Sequence, residues 1–264
     1  MNVGISNFVN KYNFTNFIVA IKSAGFVSPK LLTSKITLDF AYTLFLILQQ
    51  SGEIPKTEIK KYVQKWFVLS TLTSRYITSP ESQIDRDLRD IASKGFKIFF
   101  EENERALLPE NFWKVRLVQN LETSSISSPY FNVYLAAQNF LSDHSLLSTS
   151  SRVSDLITGG GDVHHIFPKE YLRQKGFDDR ALYNQVANYA YLDTGLNISI
   201  GKRPPNEYFS NALQNLGEEI FYKNLDENCI PHEIINMTVE HYKEFLKSRR
   251  FFMAQKIKNY YQQL

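Results

Sequence analysis

The chain has 264 residues, of which 43% are hydrophobic and 22% are charged, and its formal net charge is +3. This composition excludes a disordered protein and allows one large domain or two smaller ones. A single cysteine, Cys229, excludes an internal disulfide and a cysteine-rich zinc knuckle. No apolar run reaches the ~18 residues of a membrane span and no signal peptide is recognised, so we expect a cytoplasmic protein without a membrane partner.

The first 150 residues show apolar side chains mostly at helical spacing, with Gly and Pro at the ends of the helical segments. Segments 5–25 and 35–50 are predicted helices, and Pro55 and Pro80 open two more. The helix that follows Pro80 is rich in charge, and we expect it to be a solvated face with ion pairs four residues apart. The sequence therefore predicts an all-helical region.

Two adjacent histidines, His164 and His165, form the centre of the next segment. Apolar and polar residues alternate around them, a glycine run precedes them, and Pro168 closes the stretch. This pattern predicts a short strand that ends in a tight turn. Neighbouring side chains on a strand point to opposite faces, but at a strand end both imidazoles can converge on one cleft.

A second strand and a helix are predicted downstream. Asn188 begins a strand-like alternation, and a helix that contains Asn197 starts nearby, with Asp193 or Thr194 available as its N-cap. The predicted order is strand, connection, strand and helix.

The residues alone leave the role of the histidine pair open. A metal ion needs a neutral imidazole and at least one further ligand, and the candidate oxygen ligands are Asp162, Asp193 and the Asn197 carbonyl. The other histidine could then act as a general base near neutral pH. A histidine dipeptide on its own more often has a structural role.

The spacing of these residues resembles the HNH nuclease motif, whose catalytic residues lie in a ββα-metal unit. The resemblance implies that His164 is a metal ligand and that His165 is the general base that activates water. Asn188 would brace the loop that carries the histidines. Asn197 would be the second ligand, in place of the third histidine of the family. Lys202 would contact the substrate phosphate.

The likeness extends to the C-terminal half of GmrSD-type restriction enzymes. It is carried by Ile-Phe-Pro-Lys at 166–169, by segment 197–208 and by Ser-Arg-Arg at 248–250. Residues 62–67 and 79–82 match in the helical region. The resemblance therefore covers nearly the whole chain.

The expected architecture is mainly α, with a small ββα-metal unit inserted into a multi-helix protein. We expect an all-helical domain at 1–150, the HNH unit at 151–210, and C-terminal helices at 211–264 that pack back on it.

The function implied by the resemblance is a metal-dependent HNH endonuclease that hydrolyses phosphodiester bonds of foreign DNA in restriction or phage defence. The mixed nitrogen and oxygen ligands favour Mg²⁺ or Mn²⁺ over Zn²⁺. Full-length GmrSD members carry a ParB-like nucleotide-hydrolysing domain, and no Asp-Gly-Gln-Gln-Arg-like run occurs here, so such a domain or subunit is an expected partner. The alternative is a nucleic-acid or partner-binding helical module whose nuclease site is silent without that domain.

The small net charge means that DNA affinity must come from a local patch. Lys202 and Arg203 follow the site helix and Lys169 follows the histidine strand. A basic stretch at 247–258 could form a DNA track on the last helix, and a solvated helix is an equally good interpretation.

Overall fold

The computed structural model describes residues 2–264, and this part of the chain is mainly helical with one small antiparallel sheet. The prediction of a mainly α fold is confirmed. Eight helices lie before residue 150 in the described chain: α1 (Asn2–Phe8), α2 (Lys11–Ser23), α3 (Lys35–Ser51), α4 (Lys56–Leu72), α5 (Pro80–Lys94), α6 (Phe96–Leu107), α7 (Leu117–Asn120) and α8 (Pro129–Leu141). A π-helical segment, Phe112–Arg116, leads directly into α7.

Helices α3 and α4 pack against each other at the centre of this region. The Ser34 hydroxyl begins α3 by accepting a hydrogen bond from the Thr37 amide at 3.2 Å, and Gly52 ends it with a φ of 65°. Leu44 of α3 and Trp66 of α4 are completely buried. Apolar burial along helical faces is therefore the main source of stability here.

Helix α5 departs from its prediction at one residue. Asp85 and Arg89 form the expected exposed ion pair four residues apart. Asp87, in contrast, is completely buried, so the solvated-face prediction is wrong at this position. Its carboxylate needs hydrogen-bond donors because a buried charge without partners is costly. It accepts hydrogen bonds from three side chains: Arg75 (2.6 and 2.8 Å), Tyr76 (2.7 Å) and Gln83 (2.8 Å).

The segment after residue 150 contains the only sheet in the described chain. Its elements are, in order, α9 (Val153–Thr158), β1 (Val163–His165), α10 (Lys169–Gln174), α11 (Arg180–Tyr183), β2 (Tyr189–Tyr191) and α12 (Thr194–Ile200). Strands β1 and β2 pair antiparallel, and a short 3₁₀ turn, Val186–Asn188, leads into β2. Asp193 caps α12 by accepting hydrogen bonds from the Gly195 and Leu196 amides, as predicted.

Three helices complete the chain: α13 (Pro205–Leu216), α14 (Glu218–Glu227) and α15 (Tyr242–Gln263). Buried apolar side chains from Phe17 to Leu264 belong to one cluster, so the segments predicted at 1–150, 151–210 and 211–264 share a hydrophobic core. Their boundaries stay a prediction. Within residues 2–264, no helix has the length and apolar content to cross a membrane.

Candidate active site

The pairing of β1 with β2 sets the positions of the two histidines. His164 lies opposite Ala190 and His165 lies opposite Tyr189. Both histidines are half-buried. Because they are consecutive residues of one strand, their side chains leave the backbone on opposite faces of the sheet, and the convergence of both rings on one cleft stays a prediction.

His165 is held by aromatic rings and by one side-chain hydrogen bond. Its ring meets Tyr189 edge-on, with 5.2 Å between centroids, and lies 6.1 Å from the ring of Tyr183. Its Nε2 atom lies 2.9 Å from Oδ1 of Asn184. Burial lowers the pKa of His165, and the positive charges of Lys169 and His164 lower it further, while the hydrogen bond to Asn184 opposes them. The ring is therefore biased toward its neutral form, which a general base requires.

One ring nitrogen of His164 is buried and unbonded. Its Nε2 has no hydrogen-bond partner in the described chain and no contact with solvent. Burial lowers the pKa of His164, while the carboxylate of Asp162 acts in the opposite direction. A neutral imidazole with a free nitrogen lone pair is what a metal ion would use.

Asn188 connects the turn before β2 with the loop after β1. Its side chain is completely buried. Its Oδ1 accepts a hydrogen bond from the Phe167 amide at 2.8 Å, and its Nδ2 donates to the Phe167 carbonyl at 3.1 Å and to the Tyr183 carbonyl at 3.2 Å. Asn188 thus uses both ends of its amide to fix the backbone that follows the histidines.

Asn197 and Lys202 belong to α12 and the turn after it. Asn197 is half-buried, and no hydrogen bond of its side chain exists among residues 2–264. Its amide oxygen is therefore free to accept a ligand. Lys202 is exposed, whereas Arg203 folds back and donates to the carbonyls of Ser199 and Ile200. Of these two basic residues, Lys202 is the one whose charged group is not engaged by the helix end.

Lys169 is the first residue of α10, four positions after His165. It is exposed, and its ammonium group lies 5.6 Å from the centre of the Tyr183 ring. Its charge also acts on His165. Lys169 therefore adds positive potential beside the histidines.

Most cations of the basic stretch on the last helix, at 247–258, are buried or paired with carboxylates. Arg249 is completely buried. Arg250 pairs with Glu122, and Lys256 forms an ion pair with the buried Asp143. The burial of Arg249 rules it out as a phosphate contact, and the carboxylate partners of Arg250 and Lys256 give these two residues a structural role. α15 closes the core.

Arg249 is one of the site-supporting residues that sequence reasoning missed. Its Nη1 donates to the Ala187 carbonyl at 3.0 Å and to the Tyr189 carbonyl at 2.7 Å, on either side of Asn188. Its Nε and Nη2 donate to the Asn228 carbonyl at 3.3 and 3.2 Å. The spacing could have indicated this, since positions 245, 249 and 253 lie on one face of the helix and the other two are Phe and Met.

Tyr208 and Asn184 were missed as well. The Tyr208 hydroxyl donates to the Ile166 carbonyl at 2.6 Å and is buried with its ring. Asn184 contacts His165, as described above. Both contacts join residues 19 or more positions apart, and a single sequence shows no local pattern for them.

The donor types of the predicted ligand pair, one imidazole nitrogen and one amide oxygen, are compatible with a small divalent cation, and the pair stays a prediction. His164 offers an unpaired nitrogen and Asn197 an unpaired amide oxygen, a mixed set of the kind that Mg²⁺ and Mn²⁺ accept when water and phosphate fill the other positions. No group of three or more His, Cys, Asp or Glu side chains suited to a metal occurs in the part of the chain that the structure describes. The predicted ligand pair, His164 and Asn197, has only two side chains and includes an amide, so it is not a group of that kind.

No protein-family model, no curated protein and no solved structure matches this chain. The resemblance to HNH nucleases therefore stays a prediction from the sequence.

Proposed function

We propose that this protein is a metal-dependent HNH endonuclease that hydrolyses phosphodiester bonds in DNA. One observation carries the proposal: the element order strand, connection, strand and helix has the His-His dipeptide in its first strand and a buried asparagine that bonds the loop after that strand. The free nitrogen of His164 and the lowered pKa of His165 support the same assignment.

In the proposed reaction, His165 takes a proton from a water molecule. The oxygen of that water forms a bond to phosphorus, the bond from phosphorus to the 3′ oxygen breaks in line, and the 3′ oxygen receives a proton from solvent. His164 and Asn197 would hold Mg²⁺ or Mn²⁺. When bound, the cation supplies positive charge beside the phosphate and the leaving oxygen. Lys202 would contact the neighbouring phosphate.

The biological setting of the proposal comes from the resemblance alone. GmrSD-like chemistry implies cleavage of foreign DNA in restriction or phage defence, with a ParB-like nucleotide-hydrolysing subunit or domain as partner. Cytoplasmic action on DNA agrees with that setting.

A cleavage assay tests the proposal. The full chain is incubated with supercoiled plasmid and with phage DNA that carries modified bases, in Mg²⁺, in Mn²⁺ and in EDTA. We expect nicking or linearisation that needs the divalent cation. The His232→Ala variant is the matched control, because His232 is an exposed histidine paired with Asp226 and lies outside the site.

The alternative predicts a different result in the same experiment. A helical binding module would retard DNA in a gel without cutting it in any of the metal ions. Addition of a nucleotide-hydrolysing partner would then be needed before any product appears.

A further inference from the structure

The side chain of Asn184 contacts the imidazole ring of His165. The two residues are 19 positions apart in sequence, and their contact at 2.9 Å is partly buried. The ring of His165 also lies beside two tyrosine rings, with Tyr189 edge-on and Tyr183 tilted. Between these rings, the side chain of Asn184 meets Nε2 of His165.

The turn that carries Asn184 is itself fixed. The Asn184 amide donates to the Arg180 carbonyl at 3.0 Å, which ends α11. The preceding carbonyl, that of Tyr183, accepts from Asn188 Nδ2 at 3.2 Å and from the Tyr242 hydroxyl at 3.3 Å. Asn184 is therefore held by the same buried network that holds the histidine loop.

In a neutral imidazole, this contact determines which ring nitrogen carries the hydrogen. Such a ring has one N–H donor and one acceptor nitrogen, and a partner at one nitrogen selects the tautomer. An oxygen at Nε2 requires Nε2–H and leaves the lone pair on Nδ1. No hydrogen bond involves Nδ1 of His165 within residues 2–264. That nitrogen is the one available to a water molecule.

We propose that Asn184 is a positioning residue: its side-chain oxygen accepts the Nε2–H of His165, holds the ring, and makes Nδ1 the nitrogen that receives the proton of the attacking water. The catalytic half of this inference rests on the proposed nuclease function. The tautomer half concerns the protein alone and is measured without substrate.

The opposite orientation of the amide gives the opposite chemistry. If the Asn184 amide were turned over, its NH₂ would donate to Nε2, and His165 would carry its proton on Nδ1. That ring could not take a proton from water at Nδ1. The two orientations are therefore distinguished by which nitrogen carries hydrogen.

Long-range ¹H–¹⁵N correlation NMR on the full chain with labelled histidine reads this directly. Spectra are taken at about pH 9, well above the ordinary histidine pKa of about 6.5, so that the rings are neutral. His165→Gln assigns the signal among the five histidines. We expect the Nε2–H tautomer in the wild type. A wild-type ring with Nδ1–H would overturn the proposal.

Three variants sharpen the NMR result. Asn184→Asp offers only acceptors at nearly the same shape and should keep Nε2–H, whereas Asn184→Ala should give a mixture of tautomers. Gln185→Ala is the control, because Gln185 lies in the same turn and bonds the Ala181 carbonyl, not the histidine. An unchanged tautomer in Asn184→Ala would show that Asn184 does not set it.

Cleavage by the same variants tests the catalytic half. Loss of a group that orients a reacting side chain should lower kcat about 10- to 100-fold with little change in KM for Asn184→Ala. Asn184→Asp should recover most of that loss, and no recovery would overturn the acceptor role. If the wild type cuts no DNA, the proposed nuclease and the role of Nδ1 both fail, while the tautomer result still decides whether Asn184 orients His165.

Discussion

The helical region before residue 150 and the two-stranded region after it are stabilised in different ways. Helices α3 and α4 meet through apolar side chains such as Leu44 and Trp66. Each strand of the sheet has three residues, which is too short to be stable without support. The strands are instead fixed by the side chains of Asn188, Tyr208 and Arg249, which bond main-chain groups.

This contrast explains how the loop after the histidines can have a fixed conformation although it is not part of a helix or strand. Hydrophobic burial is non-directional and leaves freedom to adjust, whereas a hydrogen bond to a particular carbonyl fixes direction and distance. The helical region also has polar contacts, such as the cluster of Asp87 with Arg75 and the bond from Gln64 Nε2 to the Ala20 carbonyl at 2.7 Å, but its main chain is held chiefly by the helices themselves. Around the histidines, side chains bond the backbone itself.

Replacement of Arg249 should give the largest effect. Arg249→Met leaves the carbonyls of Ala187 and Tyr189 without this donor, at about 1–3 kcal/mol for each unsatisfied group, whereas the Asn228 carbonyl keeps its hydrogen bond from the Tyr134 hydroxyl. We expect a loss of about 2–6 kcal/mol in the free energy of unfolding, measured with urea, and lower cleavage per folded molecule.

Arg75→Met in the helical region is the matched control for this variant. It removes the charged partner of the buried Asp87, so its loss of stability should be similar, at about 3–5 kcal/mol. Its cleavage per folded molecule should equal that of the wild type. Equal activity losses in both variants would remove the distinction between the two regions.

Replacement of His164 should weaken metal binding more than any loss outside the ligands. Loss of a residue that supports a metal ligand typically lowers metal affinity 10- to 100-fold. Because His164 is a predicted ligand itself, we expect His164→Ala to lower the affinity by more than about 100-fold. Calorimetric titration with Mn²⁺ measures this, and Asn197→Ala should also weaken binding. Unchanged affinity in both variants would place the ligands elsewhere, with Asp162 or Asp193 as the next candidates.

Replacement of Asn188 should have an intermediate effect. Asn188→Ala removes three hydrogen bonds to the backbone around the histidines, and we expect a loss of about 10- to 100-fold in activity or metal affinity. Asn103→Ala is a control in the helical region, where the side chain bonds the Phe99 carbonyl of its own helix. Similar activity in the two variants would argue against the bracing role.

Lys202 should give the smallest of these effects. If it contacts the phosphate beside the cut, Lys202→Ala should slow cleavage about tenfold and weaken binding less. In a filter-binding salt titration, its loss should reduce the slope by about one unit. Arg250→Ala is the control, because Arg250 is nearly buried and paired with Glu122. An unchanged slope for Lys202→Ala would mean that the DNA path lies elsewhere.

Much of the fold could be predicted from the sequence because apolar spacing, Gly and Pro act locally. The helices of the first region, the Asp193 cap and the two strands around His164 and Asn188 all follow from short-range patterns. The buried state of Arg249 was missed because its basic neighbours suggested a surface stretch. Its contacts join residues about 60 positions apart in sequence, and patterns among neighbouring residues do not reveal such contacts.

The most direct test of the central claim is single-turnover DNA cleavage by His165→Ala beside the wild type. General acid–base catalysis typically contributes 10²- to 10⁴-fold, so the variant should cut at least about 100-fold more slowly. Its thermal unfolding and Mn²⁺ binding should remain close to those of the wild type, because the base acts only in the chemical step. Cleavage at the wild-type rate by a correctly folded His165→Ala protein would contradict the assignment of this site.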